Sequence, residues 1–243
     1  FRSEIWEGFV FVTLNPEAPP LAEKFGRLRS EFLSGWNMGE AKLVWDQHWD
    51  CGFNWKILLE NFMEAYHHLG AHRKTLEPFL PAKGCWTVPE DPDFSAMHLP
   101  LRPDLVETIR TTGEAGTTMT PFPGLGVEDY TEWWVFLGYP TFLLFTAPDR
   151  VYWYRLLPTG PETCSLTTTL LVHPATMERA DYNELYQSEV EAAINFHLED
   201  MEACAATQNG MRSSAYEPGR LSHLEEPIWQ FQRYLANKIR EFA

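Results

Sequence analysis

The sequence feature that most constrains the fold is a series of strand patterns followed by one long helical pattern. Residues 130–145, 151–157 and 163–172 are rich in aromatic, Thr and Val side chains, and turn residues separate them. Consecutive strands with such short connections predict an antiparallel meander. Residues 180–209 then follow a helical pattern with an apolar stripe. We expect this long helix to cover one face of the sheet.

The remaining patterns place strands and helices on both sides of this region. The other predicted elements are strands at residues 5–14 and 42–53 and helices at residues 22–33, 55–69 and 224–242. Asn54 precedes the second of these helices and suits an N-cap. Residues 73–128 are rich in Pro and Gly and poorly periodic, so we expect loops there that form a lid or pocket wall. This order predicts an α+β fold, with a curved antiparallel sheet packed on a long C-terminal helix.

Charge and cysteine usage exclude several classes of partner. The net charge is -15 over 243 residues, which argues against nucleic acid and against anionic membrane surfaces. No apolar run reaches the length of about 18 residues that a membrane helix requires. The four cysteines are far apart and form no C-x-x-C pair. They therefore predict reduced thiols in a cytoplasmic protein.

Chemically active side chains are concentrated in residues 61–72. This segment holds one carboxamide, one carboxylate and three imidazoles, at Asn61, Glu64, His67, His68 and His72. Such groups are typical metal ligands and their neighbours. On a helical wheel over residues 55–69, an apolar arc that includes Tyr66 and Leu69 would pack on the sheet. The polar members lie opposite this arc, so a solvent-exposed face is the alternative interpretation. An exposed face usually mixes Lys and Glu, whereas this one ends in three histidines.

The spacing of the histidines does not settle which two would share a metal. His68 and His72 are four residues apart and would lie on one side of a continuous helix. His67 and His72 would point about 140° apart at about 100° per residue. Gly70 can end the helix and turn His72 in a new direction. Spacing alone therefore favours His68 with His72 but leaves the pair open.

A third ligand would have to come from another segment. The long helical pattern offers five carboxylates, Glu189, Glu191, Glu199, Asp200 and Glu202, and none of them stands out. Two imidazoles and one carboxylate leave open positions on the ion, as in non-haem Fe(II) oxygenases. A zinc hydrolase uses similar ligands with a bound water. A non-catalytic ligand-binding domain, the third alternative, would need no such cluster.

The order of motifs resembles one known family. Residues 54–56 (NWK), residues 60–67 (ENFMEAYH) and His72 are similar to the N-W-K and E-N-x-x-E/D-x-Y-H-x-x-x-x-H patterns of Rieske-type non-haem iron oxygenases. These are the α subunits of ring-hydroxylating dioxygenases and related monooxygenases. Residues 198–213 resemble the family's E-D…Q-x-G-L-x-S segment, and residues 8–14 resemble the strand after the Rieske module. The resemblance thus spans almost the whole chain.

The resemblance implies a role for each residue of the motif. His67, His72 and Asp200 would bind a mononuclear Fe(II). Glu64 would be the acidic bridge that carries electrons from the Rieske centre of a neighbouring subunit, and Asn61 would lie near the iron. His68 would be a bystander or a pocket residue.

The resemblance also implies the fold and the partners. The fold would be a helix-grip, like that of START and Bet v 1-like proteins. An apolar pocket would lie between residues 73–128, residues 133–145 and Phe196. It would accept O₂ and a small organic substrate, which we expect to be aromatic. A ferredoxin or reductase would donate electrons to a homotrimer, with a small β subunit possible in such assemblies.

One family feature is absent from the sequence. The [2Fe–2S] Rieske cluster needs a C-x-H and a C-x-x-H motif, and none of the four cysteines begins either. We therefore expect residues 1–243 to be the mononuclear iron domain of a longer protein. Residues 1–20 would contain the strand that follows a missing N-terminal Rieske domain.

Overall fold

The computed structural model describes residues 1–241. The strands are β1 Arg2–Trp6, β2 Phe9–Thr13, β3 Lys42–Cys51, β4 Trp86–Thr87, β5 Phe94–Pro100, β6 Glu132–Gly138, β7 Phe142–Ala147, β8 Arg150–Gly160 and β9 Thr163–Val172. The α-helices are α1 Leu21–Lys24, α2 Gly26–Leu28, α3 Trp55–Phe62, α4 Pro103–Thr112, α5 Pro174–Met177, α6 Tyr182–Met211 and α7 Glu226–Glu241. The predicted end of the last helix, Phe242, lies outside the described residues.

A seven-stranded antiparallel sheet organises the molecule. Its strands follow the order β3-β9-β8-β7-β6-β5-β4, so the six consecutive strands β4–β9 form a meander. The three-stranded meander predicted over residues 130–172 is confirmed, but this part of the chain contains four strands, β6–β9. The pattern at residues 130–145 divides into β6 and β7, because the chain turns between Gly138 and Phe142 and the two strands then pair.

Each face of this sheet carries its own layer. In β6, Val135 and Leu137 belong to the apolar cluster under α6, whereas Trp134 and Phe136 belong to a cluster on the other side. This alternation follows from the two-residue period of a strand. The helix α6 contributes Ala193 and other side chains to the first cluster. The predicted α+β class, with a long helix on one face of the sheet, is confirmed.

The second face is covered by the N-terminal segment. Trp6, Phe9, Phe25 and Leu28 pack there with the sheet residues. The prediction of one strand at residues 5–14 was wrong, since the chain forms the hairpin of β1 and β2. Glu7 and Gly8 both have positive φ angles, and this allows the tight reversal.

The region at residues 73–128 contains more regular structure than its sequence predicted. Strand β5 is buried along almost its whole length, so it lacks the alternation that marks a half-exposed strand. Helix α4 begins with Pro103 at its first turn and is short, with Ile109 as its buried residue. The expectation of loops holds for residues 113–128, where turns and irregular segments prevail.

Two further observations concern the sequence predictions on cysteine and membranes. All four cysteines are free thiols. Among the described residues, we find no helix with the length and apolar character needed to cross a membrane.

Candidate metal centre

The histidine segment adopts its shape because α3 is shorter than predicted. Asn54 caps this helix, and its side chain accepts a hydrogen bond from the amide of Lys56 at 2.9 Å. The helix ends at Phe62 rather than continuing to Leu69. A separate 3₁₀ turn at Tyr66–Leu69 then carries His67 and His68. The end of the α-helix and the separate 3₁₀ turn reorient the histidines. The wheel drawn for residues 55–69 therefore does not apply beyond Phe62.

Two side chains show the effect of this break directly. The continuous wheel placed Tyr66 and Leu69 on the buried arc against the sheet, and this was wrong. Tyr66 is 55% exposed and Leu69 is 50% exposed. The amide of Gly70 bonds to the carbonyl of His67 at 2.9 Å and closes the turn. The chain then leads His72 back into the interior, where it is fully buried.

Three of the predicted ligands converge. His67 Nε2 lies 3.4 Å from Asp200 Oδ1, and His72 Nε2 lies 3.0 Å from the same oxygen. The centroids of the His67 and His72 rings are 4.9 Å apart. Within residues 1–241, His67, His72 and Asp200 form the one group of three or more such side chains whose ligand atoms all lie within 4.8 Å of one another. Asp200 comes from α6, 128 residues beyond His72.

The arrangement requires positive charge at its centre. Two imidazole nitrogens and a carboxylate oxygen are all acceptors when the histidines are neutral. Acceptors this close repel one another unless protons or a cation lie between them. A divalent metal bound to both Nε2 atoms and to Asp200 satisfies all three groups, and this donor set suits Fe(II).

The pKa values of His67, His72 and Asp200 also indicate that positive charge is favoured between them. Burial would lower the pKa of His67, but Asp200 and Glu64 together raise it to about 10. Burial also opposes protonation of His72, yet its pKa is raised by Asp200 and Glu199. Burial would raise the pKa of Asp200, and the two imidazoles instead hold it well below its usual range. The raised pKa values of both imidazoles and the lowered pKa of Asp200 all favour positive charge at the centre of this group.

A carboxylate contacts the outer nitrogen, Nδ1, of each of the two imidazoles, while Nε2 is the inner nitrogen next to Asp200. Glu64 Oε1 lies 2.5 Å from His67 Nδ1, and its other oxygen accepts the amide hydrogen of His67. Glu199 Oε2 lies 2.7 Å from His72 Nδ1 and also accepts a hydrogen bond from the Thr75 hydroxyl at 2.6 Å. A proton held on Nδ1 leaves the Nε2 lone pair free for a metal.

Asn61 contacts the carboxylate of the cluster. Its Nδ2 donates a hydrogen bond to Asp200 Oδ1 at 2.7 Å. This contact joins the last turn of α3 to α6 and limits the rotation of the Asp200 side chain. The sequence resemblance placed Asn61 near the metal, and the structure places it beside one of the predicted ligands.

His68 occupies a different position from the one that spacing favoured. It is buried, and its Nδ1 lies 3.1 Å from the carbonyl oxygen of Leu80. Its ring is 5.0 Å from that of His67 and 5.3 Å from that of His72. Burial lowers the pKa of His68 to about 3, so its ring is neutral. The preference for His68 with His72 as a ligand pair therefore finds no support in the geometry.

An apolar cavity of about 80 Å³ adjoins the cluster. The expected walls are present, with Met97 and Leu99 from β5, Val135 and Leu143 from the meander, and Phe196 from α6. A second cavity of about 530 Å³ lies next to it and shares four wall residues, Leu76, Leu80, Phe145 and Phe196. The two cavities therefore lie side by side, and the larger one is bordered by α4 and the following loop.

The other carboxylates of the long helix lie elsewhere. Glu189 pairs with Arg150 and accepts a hydrogen bond from the Tyr152 hydroxyl at 2.7 Å. Glu191 and Glu202 are exposed. Sequence reasoning missed Thr75 and also the place of His197 in the cavity wall. The position of Thr75, three residues after His72, is the signal that could have drawn attention to it.

Comparison with known proteins identifies the family. The family described as "Ring hydroxylating alpha subunit (catalytic domain)" matches residues 38–241. The chain belongs to this family. Among curated relatives, the glycine betaine monooxygenase oxygenase subunit of Chromohalobacter salexigens is 25% identical to it over 90% of the chain and 54% of the relative. The chloroplastic choline monooxygenase of Atriplex hortensis is 24% identical over 77% of the chain and 38% of the relative.

A solved structure shares the fold of this domain. It is that of a quaternary ammonium Rieske monooxygenase, in work on carnitine oxidation by gut microbiota and inter-subunit electron transfer. The TM-score is 0.72 at 20% identity, over 97% of this chain and 61% of that chain. The chain thus spans little more than half the length of the glycine betaine relative and three-fifths of this structure.

Proposed function

We propose that this chain is the mononuclear iron domain of a Rieske-type oxygenase, with Fe(II) bound by His67, His72 and Asp200. The observation that carries the proposal is the convergence of three ligand atoms on one point beside an apolar cavity. Family membership supports the choice of iron over zinc. Open coordination positions on the cavity side would receive O₂ and keep the substrate close.

Fe(II) held by His67, His72 and Asp200 would supply the activation of O₂, in which one oxygen atom enters the substrate and the other leaves as water after two electrons from the redox partner and two protons. The residues of the chain prepare the site for this chemistry. Glu64 and Glu199 hold protons on the outer nitrogens of the two imidazoles, so the inner nitrogens face the ion. The apolar walls exclude water and strengthen the electrostatic interactions at the cluster. Asn61 holds the carboxylate of Asp200 through its 2.7 Å hydrogen bond.

Glu64 is our candidate for the path of electrons into the site. It contacts His67 directly, and its side chain is only 10% exposed in the single chain. We propose that a Rieske [2Fe–2S] domain of a neighbouring subunit docks next to it in a homotrimer. A ferredoxin or reductase would supply the electrons. The inter-subunit electron transfer named for the structural relative agrees with this arrangement.

The substrate we propose is a small quaternary ammonium compound that undergoes monooxygenation. Two curated relatives are named for glycine betaine and for choline. The cavity combines the aromatic side chains of Phe62, Tyr154 and Phe196 with the carboxylates of Glu64 and Asp200. Aromatic faces and nearby negative charge both favour a bound cation. This choice replaces the aromatic substrate that the sequence led us to expect.

The metal content after anaerobic reconstitution with Fe(II) tests the proposal. We expect about one iron per chain in the wild type, because the cluster provides one set of three ligands. Variants His67→Ala, His72→Ala and Asp200→Ala should lose the iron. His68→Ala is the matched control, since it removes a neighbouring imidazole that lies outside the ligand group.

Three results would contradict the proposal. Loss of iron in His68→Ala with retention in His67→Ala would mean that the ligands are misassigned. Binding of zinc without iron would favour the hydrolase alternative. Absence of any metal in correctly folded wild type would favour a non-catalytic binding domain.

A further inference from the structure

Most polar atoms of the cavity beside the metal cluster are already engaged. The side chains of His67, His72 and Asp200 face the proposed metal. Asn61 donates to Asp200, and Glu64 bonds to His67. The remaining polar wall residues with an imidazole are His68 and His197. Besides the Tyr154 hydroxyl, which can both donate and accept, these two imidazoles are what the wall offers to a polar substrate.

The hydrogen bond of His68 to a backbone carbonyl determines its tautomer. The carbonyl oxygen of Leu80 can only accept, so His68 Nδ1 carries the proton at their 3.1 Å contact. In the neutral ring, Nε2 is then a lone-pair acceptor. No hydrogen bond joins this Nε2 to another residue in the part of the chain that the structure describes. His68 thus presents an unused acceptor at the wall of the cavity.

His197, on α6, also has its Nδ1 bound to a backbone carbonyl and its Nε2 without a partner. Its Nδ1 donates to the carbonyl oxygen of Ala193, one turn earlier in α6, at 2.6 Å. Its Nε2 is buried and has no hydrogen-bond partner within residues 1–241. The ring cannot rotate freely, because it lies against Trp49, Tyr154 and Phe196 at centroid distances of 5.9, 5.4 and 4.4 Å.

We propose that His68, supported by His197, makes the cavity selective for substrates that carry a hydrogen-bond donor, an O–H or an N–H, close to the oxidised carbon. This inference rests on the proposed function, since it concerns the substrate of the same metal site. A buried acceptor left without a partner costs free energy, and a donor on the substrate removes that cost. A fully methylated ammonium compound without a hydroxyl group cannot do so.

The relatives illustrate how sharply this separates substrates. Choline carries a hydroxyl group on the second carbon from its ammonium nitrogen, whereas glycine betaine carries only acceptors besides its methyl groups. By the chemistry of the free acceptor on His68, this cavity suits a choline-like alcohol. It does not suit a betaine or a plain aromatic hydrocarbon.

The test compares ligands that differ in a single donor. Choline and (2-methoxyethyl)trimethylammonium have the same charge and nearly the same shape, and only choline has a hydroxyl hydrogen. Benzyl alcohol and benzyl methyl ether form a second pair without a charge. Isothermal titration calorimetry on anaerobic Fe(II)-loaded protein gives the Kd of each. We expect the alcohol of at least one pair to bind about fivefold tighter, as one net hydrogen bond would produce.

His68→Asn is the decisive variant. The Asn side chain can still donate to the carbonyl oxygen of Leu80 but has no acceptor where Nε2 was. It should fold, retain iron and bind alcohol and ether with equal Kd values. His98→Asn is the matched control, because His98 is a buried histidine on β5 outside the cavity. This control should keep the preference for the alcohol.

The outcomes separate this inference from the proposed function. Iron content is measured first. If the reconstituted wild type contains no iron, this result contradicts the proposed function, and the ligand pairs are then compared on the metal-free protein. Equal binding of alcohol and ether by the wild type, or failure of all four ligands to bind, overturns the inference. Retention of the preference in His68→Asn also overturns it.

Discussion

At the scale of single residues, the roles of His67, His68 and His72 depend on which group contacts the Nδ1 nitrogen of each. His67 and His72 have carboxylates there, Glu64 and Glu199, which stabilise a charged or metal-bound ring. His68 has a backbone carbonyl there, which fixes the tautomer but supplies little charge. Residues adjacent in the sequence can therefore differ widely in pKa and in role.

Glu199→Gln should weaken metal binding. Gln keeps an acceptor for His72 Nδ1 but loses the negative charge that makes the imidazole a stronger ligand. We expect the affinity for Fe(II) to fall about 10- to 100-fold. Competition with a chromophoric chelator under anaerobic conditions measures it. Glu202→Gln, an exposed neighbour on α6, should have no effect, and an equal loss in both variants would contradict the role of Glu199.

His68 should make the metal-free protein sensitive to acid. Burial lowers its pKa from 6.5 to about 3, so the folded state keeps it neutral while the unfolded chain takes up a proton. Stability is therefore lost as the pH falls from 6.5 towards 3. Between pH 6.5 and about 5.5, the wild type should lose roughly 1 kcal/mol more than His68→Asn. Urea titrations at each pH measure the difference, and parallel pH profiles would refute it.

At the scale of elements, helix α3 and the hairpin of β1 and β2 depend on local breaks. The end of α3 at Phe62 frees the next residues to form the turn that carries His67. In the hairpin, a Cβ on Gly8 would lie 2.9 Å from the Cα of Gly39, and the φ of Gly8 is +84°. Neither the end of α3 nor the turn at Gly8 could be predicted from the periodicity of the sequence.

Gly8→Ala should destabilise the protein through this hairpin. The left-handed backbone and the contact with Gly39 both disfavour a side chain, and we expect a loss of about 1–3 kcal/mol in the free energy of unfolding. Chemical denaturation measures it. Gly26→Ala is the matched control, since nothing lies within 4 Å of its added Cβ. If both variants lose the same stability, the explanation by the Gly8 turn is wrong.

At the scale of the whole molecule, the candidate metal ligands His67, His72 and Asp200 join two segments that are distant in sequence. His72 follows α3, and Asp200 lies on α6, 128 residues later. The sheet sets their separation, because both helices contribute to the apolar cluster on its one face. A bound ion would therefore oppose global unfolding and not only local motion.

Metal addition should raise the thermal midpoint of the wild type. A ligand that binds only the folded state, present at about 100 times its Kd, adds about 2.7 kcal/mol to the free energy of unfolding. Differential scanning fluorimetry with Fe(II) or Co(II) under anaerobic conditions measures the shift in Tm. Asp200→Ala should show none, and an equal shift in that variant would place the ion elsewhere.

Much of the fold and of the site could be predicted from the sequence. The Thr-rich composition of residues 163–172, the stripe of the long helix and the cap at Asn54 are local patterns with a direct structural meaning. The β5 strand was missed because burial on both faces removes its alternation. The break of α3 was missed because a 3₁₀ turn keeps a nearly helical spacing.

The sequence by itself determined the class of the fold, the family and the types of ligand that the chain can offer. These depend on the order of motifs and on side-chain chemistry, both of which are one-dimensional. Only the tertiary structure decided that His68 lines the cavity with its Nδ1 at the Leu80 carbonyl, and that Glu199 contacts His72. Such roles depend on distances between segments far apart in the chain, and those distances arise when the sheet brings the helices together.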